Sequence, residues 1–345
     1  MKKIVLIALA IVAFAVQLFA EDGTSFYQKA LENIKAENFK SAFDNLSKAL
    51  ALEPQNNLYK KEMAFVQYKR KANREAIILI EELINNGDKP AINYARLSEL
   101  YTAAKLYAKA IEYAKTVNEK ELKDVEKVSY YTELGNAYNA INFFPQAIEV
   151  WEKVDKLVPN NLQILDKLAK ANVSLTKDVE ALAYYRKAIA IDAKDKNRLF
   201  DAGIAAENCM KRTEAIDYFL KAKAAGYPDD VDFNYEIANV YYDGKDYKNA
   251  IIYLDKARAS SPYDQGVASL TAYSYYYGGE TKIAREVIEG MIQINPNNGD
   301  LYYLMGMTWQ KDANMDKAER YFDKAFKLKP ALESLRVSKS ELFGK

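Results

Sequence analysis

Residues 128–161 read VSYYTELGNAYNAINFFPQAIEVWEKVDKLVPNN. In the second half, Ala147, Ile148, Trp151, Val154 and Leu157 recur at intervals of three and four, which predicts one buried helical face. Pro159 ends that helix, because proline lacks the N–H a continuing helix needs. In the first half, Tyr131, Leu134, Gly135 and Tyr138 carry the same period. The stretch predicts two helices of about 20 Å each at 1.5 Å rise per residue, folded back on one another by a short turn.

Worked outward, this pattern recurs every 34 residues. Nine units begin at Gly23, Asn57, Ala91, Val128, Leu162, Lys196, Val231, Gln265 and Gly299. Spacers are needed only at 125–127 and at Asp230. The eighth place of the unit is always small: Ala30, Ala64, Ser98, Gly135, Ala169, Gly203, Ala238, Ala272 and Gly306. The twentieth is always alanine: Ala42, Ala76, Ala110, Ala147, Ala181, Ala215, Ala250, Ala284 and Ala318. Two antiparallel helices approach closely only where the side chains at their crossing are small. Proline closes five units, at Pro54, Pro159, Pro262, Pro296 and Pro330.

Tyr131, Leu134, Gly135, Tyr138, Phe144, Ala147, Trp151 and Pro159 together resemble the tetratricopeptide repeat, W-x2-L-G-x2-Y followed by A-x3-F and P. The resemblance implies an all-α fold, a right-handed superhelical solenoid of about nine helix-turn-helix repeats. These are 23–56, 57–90, 91–124, 128–161, 162–195, 196–229, 231–264, 265–298 and 299–332, within a single solenoid 21–345. The pattern is poorest in the second unit, with Lys60 and Gln67 at aromatic places, and in the fifth, with Asn172 and Asp178. The charged stretch 119–127 predicts local looseness or a changed pitch. Residues 333–345, with Leu335, Leu342 and Phe343, are expected to cap the last repeat together with Leu332.

The first residues have a different character. Met1-Lys2-Lys3 precedes an apolar run from Ile4 to Val16, then Gln17, Leu18, Phe19 and Ala20 before Glu21-Asp22. This predicts a signal peptide over 1–20, cleaved after Ala20, in a bacterial protein exported to the periplasm or cell envelope. The run is short against the roughly 20 apolar residues of a spanning helix, so an uncleaved anchor is the weaker reading. Cleavage removes two lysines from 49 basic residues against 48 acidic ones, giving 47 − 48 = −1.

That balance argues against neutralising nucleic-acid phosphates. The chain has no histidine and one cysteine, Cys209. Triads with histidine, imidazole–zinc sites and disulfide chemistry are therefore excluded within the chain. Asp312, Asn314 and Asp316 have the spacing of a calcium loop, but Lys317 stands where glycine is needed and Asp323 where glutamate is usual. The expectation is a protein that is not an enzyme and carries no cofactor or metal.

The resemblance also sorts the 27 tyrosines. Places 2, 5, 9, 12 and 13 of such repeats line the concave groove. Tyr94, Tyr101, Tyr107, Tyr131, Tyr138, Tyr185, Tyr241, Tyr247, Tyr275 and Tyr302 fall at packing places. Tyr235, Tyr242, Tyr273, Tyr276, Tyr277 and Tyr303 fall at groove places in the last three units, beside Asn239, Asp243 and Gln310, with Asp232 and Asp300 near the rim. A second, aromatic and basic patch comprises Tyr27, Leu31, Ile34, Lys35, Lys61, Phe65, Tyr68 and Lys69. Tyrosine presents a rigid ring and a hydroxyl at low entropic cost, which suits recognition. The expected function is a non-enzymatic protein-interaction scaffold that holds a protein or peptide partner in its groove. The alternatives are a cell-wall glycan-binding module using the same rings, or tyrosines that simply pack on one another. Self-association is a further expectation, since solenoid ends stack.

Overall fold

The computed structural model describes residues 22–335. The expected signal peptide with its cut after Ala20, and Leu342 and Phe343 of the expected cap, lie outside the described residues. Eighteen α-helices follow one another, with no strand among the described residues. They are α1 (Gly23–Lys35), α2 (Phe39–Leu52), α3 (Asn57–Lys69), α4 (Asn73–Asn85), α5 (Ala91–Ala103), α6 (Tyr107–Ala114), α7 (Asp124–Ala140), α8 (Phe144–Leu157) and α9 (Leu162–Ser174). Then come α10 (Asp178–Ile191), α11 (Lys196–Asn208), α12 (Arg212–Ala224), α13 (Val231–Asp243), α14 (Tyr247–Ser260), α15 (Gln265–Gly278), α16 (Thr281–Ile294), α17 (Gly299–Lys311) and α18 (Met315–Leu328). Two 3-10 turns, Glu119–Glu121 and Pro330–Leu335, complete the series. The chain divides into two compact units between Ala171 and Asn172. Among the described residues no helix is long and apolar enough to cross a membrane.

The helix starts have a local cause. Asp22, Asn56, Asn161, Asp195, Asp230, Asp264 and Asn298 each precede a first helix, and each side chain accepts a hydrogen bond from a free N–H of the first turn. The turns inside the pairs are equally regular. Glu37, Lys71, Lys105, Asn142, Thr176, Met210, Lys245, Gly279 and Ala313 all have positive φ, and all stand at the fifteenth place. The next N–H reaches back to the carbonyl five residues earlier, as in Asn38 to Asn33 and Lys211 to Ala206, both 2.8 Å. This is the Schellman closure, which satisfies helix-end carbonyls.

Inside each pair, the small eighth place faces the twenty-fourth. A Cβ on Gly135 would overlap the Trp151 ring, one on Gly203 would lie 2.7 Å from Phe219, and one on Gly306 would lie 2.6 Å from Phe322. Where the eighth place is alanine, the partner is mostly smaller, as in Ala30 with Leu46 or Ala64 with Ile80. The pair thus conserves volume, which close-packed interiors require.

One expectation changes, and two departures from the pattern find their physical reason. Residues 119–127 are not loose. The Glu126 carboxylate accepts from the Lys123 N–H at 2.8 Å, so α7 starts at Asp124 and absorbs the spacer. Glu119 accepts from Tyr131 at 2.6 Å and from Lys153 at 3.1 Å, and Leu122 is buried. Lys60 and Gln67 are buried in place of aromatics, with Lys60 donating to Glu82 at 2.7 Å and Gln67 accepting from Arg70 at 3.1 Å. At the C-terminus Pro330 breaks the helix, and the described part of the cap is a 3-10 turn. It buries Leu332 against Tyr302, Ala325 and Phe326 and leaves Leu335 exposed.

Candidate functional site

In the second unit, spacings of three and four residues, about one turn each, bring three tyrosines of α15 to one side. Tyr273 and Tyr277, four residues apart, share a face and stack at 6.4 Å, while Tyr276 meets Tyr277 edge-on at 5.0 Å. From the preceding pair, Tyr247 stacks on Tyr277 at 5.4 Å and Tyr242 lies 6.2 Å from it. Tyr242 and Tyr247 meet edge-on at 5.6 Å. Five rings are thus contiguous, with Tyr277 at the hub and 45% exposed. Lys311 lies over Tyr276 at 4.7 Å and donates to its carbonyl at 2.6 Å. Burial, then neighbouring Tyr277, Tyr247 and Tyr273, pushes the Tyr242 hydroxyl up to about 12.

α11 and α13 carry two half-buried carboxylates, Glu207 and Glu236, and the exposed Asp243 acts on both Glu207 and Tyr242. Asn239 donates to Glu207 at 2.6 Å. Burial raises Glu207 to about 7, with the Glu236 and Asp243 charges adding to the rise and the Asn239 bond opposing it. Burial and the Asp232 charge raise Glu236 as well. Tyr235 is raised by burial and by the charges of Glu236, Asp264 and Glu207. Asp243 is exposed at the end of α13, and Gln310 is half-buried near the end of α17. Tyr303 turns elsewhere. Its ring packs on Phe322 at 5.3 Å and its hydroxyl donates to the Leu335 carbonyl at 3.1 Å.

The first unit corrects the second patch. Tyr27 is not a groove residue: it is buried and stacks on Tyr59 at 4.9 Å, among Ala30, Leu46 and Met63. Leu31 and Ile34 pack against the same core. Lys35, Lys61 and Lys69 are exposed. Phe65 lies under Arg96 at 5.1 Å and Lys69 at 5.6 Å. Arg96 also covers Tyr68 at 5.6 Å, and the Tyr68 hydroxyl donates to buried Glu99. Burial raises Glu99 and lowers Arg96.

Sequence reasoning missed Glu207, Glu236, Arg96 and Glu99, and it placed Tyr247 in the packing set. Glu207 and Glu99 do occupy the twelfth and ninth places, which are groove places, so a search beyond tyrosine would have found them. Asp312 and Asn314 of the calcium-like spacing have other partners: Asp312 accepts from Thr281 and pairs with Arg285, both at 2.7 Å, and Asn314 caps α18. Cys209 is half-buried at the end of α11, with its thiol raised by burial.

Comparison with known proteins gives repeat families. Residues 201–265 and 299–332 match tetratricopeptide repeat models, neither of them a catalytic family. A TPR repeat-containing protein of Methanocaldococcus jannaschii is 23% identical over 87% of this chain and 48% of its own length. DnaJ homolog subfamily C member 7 of Mus musculus is 22% identical over 60% of this chain and 44% of its own. The chain therefore spans under half the length of these curated relatives. Among solved structures, YrrB, a TPR protein with an unusual peptide-binding site, is 24% identical with a TM-score of 0.48, covering 55% of this chain and all of that one. The helix pairs, the two repeat-model matches and the archaeal relative support the tetratricopeptide repeat family for this all-α chain.

Proposed function

We propose that this chain is a non-enzymatic scaffold of the bacterial cell envelope that holds an extended partner segment against the tyrosine cluster of its second unit. The observation that carries the reading is the run of five touching rings, with Asp243, whose charge acts on both Tyr242 and Glu207, linking it to the raised carboxylates Glu207 and Glu236. Tyrosine clusters of this kind supply rigid contact area, and a preformed surface lowers the ordering cost of binding. Half-buried carboxylates lacking a full counter-charge favour a cationic or amide-rich partner. The glycan alternative is weaker. Tyr247 and Tyr273 both stack on Tyr277, so much of what the cluster offers is ring edge and hydroxyl, whereas a sugar needs an open ring face.

The envelope location rests on Met1-Lys2-Lys3 and the apolar run from Ile4 to Val16. Cell fractionation with N-terminal sequencing of the protein tests it: the expected product begins at Glu21 outside the cytoplasm. The groove is tested by crosslinking in the native envelope, comparing the full chain with Tyr242→Ala/Tyr273→Ala/Tyr276→Ala. The expected outcome is loss of the crosslinked partners with the fold retained. Recovery of the same partners at the same strength overturns the assignment. Sedimentation with purified cell wall, abolished by the same substitutions, would instead establish the glycan reading.

A further inference from the structure

A cavity of about 730 Å³ opens in the second unit where α14, α15, α16 and α17 meet. Tyr273 of the tyrosine cluster is one of its walls, and Val287, Met291, Leu301 and Leu304 are apolar lining. Tyr263, 79% exposed, and Ile294, 51% exposed, are large apolar side chains on its lining left in contact with water. A packing defect is ordinarily little larger than a water molecule, so this volume is a feature of the fold.

Its origin lies in two places of the repeat. In the first, fourth and ninth units the fourth and twenty-sixth places cover each other as ring and lysine. Lys48 lies over Phe26 at 5.2 Å, Lys153 over Tyr131 at 5.0 Å and Lys324 over Tyr302 at 4.1 Å. In the second unit the same two places hold an ion pair, Lys60 and Glu82 at 2.7 Å. In the eighth unit those places are Ala268 and Gly290, and both line the cavity. Gly290 is unlike Gly135, Gly203 and Gly306. A Cβ there would meet nothing within 4 Å, so packing does not require glycine. A mid-helix glycine is destabilising against alanine. The cavity therefore lacks the aromatic ring and the lysine that three sibling repeats supply to themselves. Its charged lining is acidic on balance, with Asp255 and Glu286 against Arg258, while Asp300 is paired with Lys329 at 2.8 Å.

We propose that this cavity receives an aromatic side chain with a neighbouring lysine or arginine from the partner segment, replacing the missing pair. The assignment rests on the groove reading above, with which the cavity shares Tyr273. It adds a specificity rule: the partner is read for an aromatic residue beside a cation.

A library of acetylated seven-residue peptides is screened by fluorescence anisotropy on the full chain and on Ala268→Tyr/Gly290→Lys. Thermal unfolding checks that the variant folds. The wild-type chain should select aromatic–basic peptides. The refilled variant should bind them at least tenfold more weakly. Equal binding by the refilled variant overturns the cavity assignment. If binding to that variant persists while Tyr242→Ala/Tyr276→Ala abolishes it, the groove reading stands and the cavity alone falls. Absence of any selected peptide overturns both. A peptide copying residues 336–345, which contain Phe343 and Lys345, serves as a competitor. If it binds more tightly than every library peptide, the cavity belongs to this chain's own C-terminal residues and the assignment to a partner is overturned.

Discussion

The aromatic faces of the two units are built from similar residues and end in opposite states. In the first unit the half-buried rings Phe43, Phe65 and Tyr68 each have a partner of their own. Arg96 and Lys69 cover Phe65, Arg70 lies 4.0 Å over Phe43, and Glu99 takes the Tyr68 hydroxyl. In the second unit the rings partner one another, Tyr277 remains 45% exposed, and Glu207 and Glu236 are raised by burial and by like charge. An aromatic surface whose charges are matched internally gains little from a ligand. One that carries like charges in half-buried positions gains when a cation arrives. This difference is why the proposed recognition surface is assigned to the second unit, with structural closure in the first.

The sharpest way to break that contrast is stability. Glu99 is 7% exposed and is bonded by Tyr68 in a setting shared with half-buried Arg96. Replacing it by alanine leaves a buried hydroxyl and a guanidinium without their carboxylate, which costs roughly 3 kcal/mol. Tyr277→Ala removes a ring that is nearly half in water and should cost about 1 kcal/mol or less. Urea unfolding of the two variants should show midpoints clearly apart. Equal losses would mean that the second face is as structural as the first.

Much of this was legible along the chain, and the limits have physical causes. The eighth and twentieth places, the Asp and Asn caps and the closing prolines act within one helix pair, so a single repeat contains the information. Tyr27 did not follow the groove rule because its neighbour is Tyr59, on the next pair, and their stack closes the core there. Tyr247 stands at a packing place but reaches Tyr277, thirty residues on, and its role depends on that ring. The raised Glu207 owes much to burial and to Glu236 and Asp243 on α13, which no local pattern of α11 reveals. The cavity is harder still to read, since it is made by what Ala268 and Gly290 lack.

A second contrast is in pH. Glu207 stands at about 7 in the folded chain against an ordinary 4.5, with burial the first cause. The folded state therefore prefers the proton. Its favourable contribution is complete below the ordinary value and is lost as pH rises through about 7. Thermal unfolding from pH 4 to 8 should show the wild-type chain losing stability relative to Glu207→Gln across this window and running parallel above it. A cationic peptide should bind more tightly at pH 8 than at pH 6 and release a proton on binding, and Glu207→Gln should flatten that dependence. Identical pH profiles for the two proteins would remove Glu207 from the site.

The smallest expected effect tests whether the scaffold beneath the two faces is the same. The fifteenth place is left-handed throughout, yet only Gly279 and, less well, Asn142 are suited to it. A side chain in that conformation pays roughly 1 kcal/mol, partly offset because glycine loses more freedom on folding. Lys105→Gly in the first unit and Met210→Gly in the second replace exposed side chains, Met210 being 80% exposed. Each should therefore stabilise by about 0.5 kcal/mol, and Gly279→Ala should cost a similar amount. Equal gains for Lys105 and Met210 in thermal unfolding would show one turn geometry serving both units. The contrast between the faces would then rest on the side chains added to a common frame. A gain in one unit and a loss in the other would mean that the turns themselves differ, and that part of the contrast is strain held in the backbone.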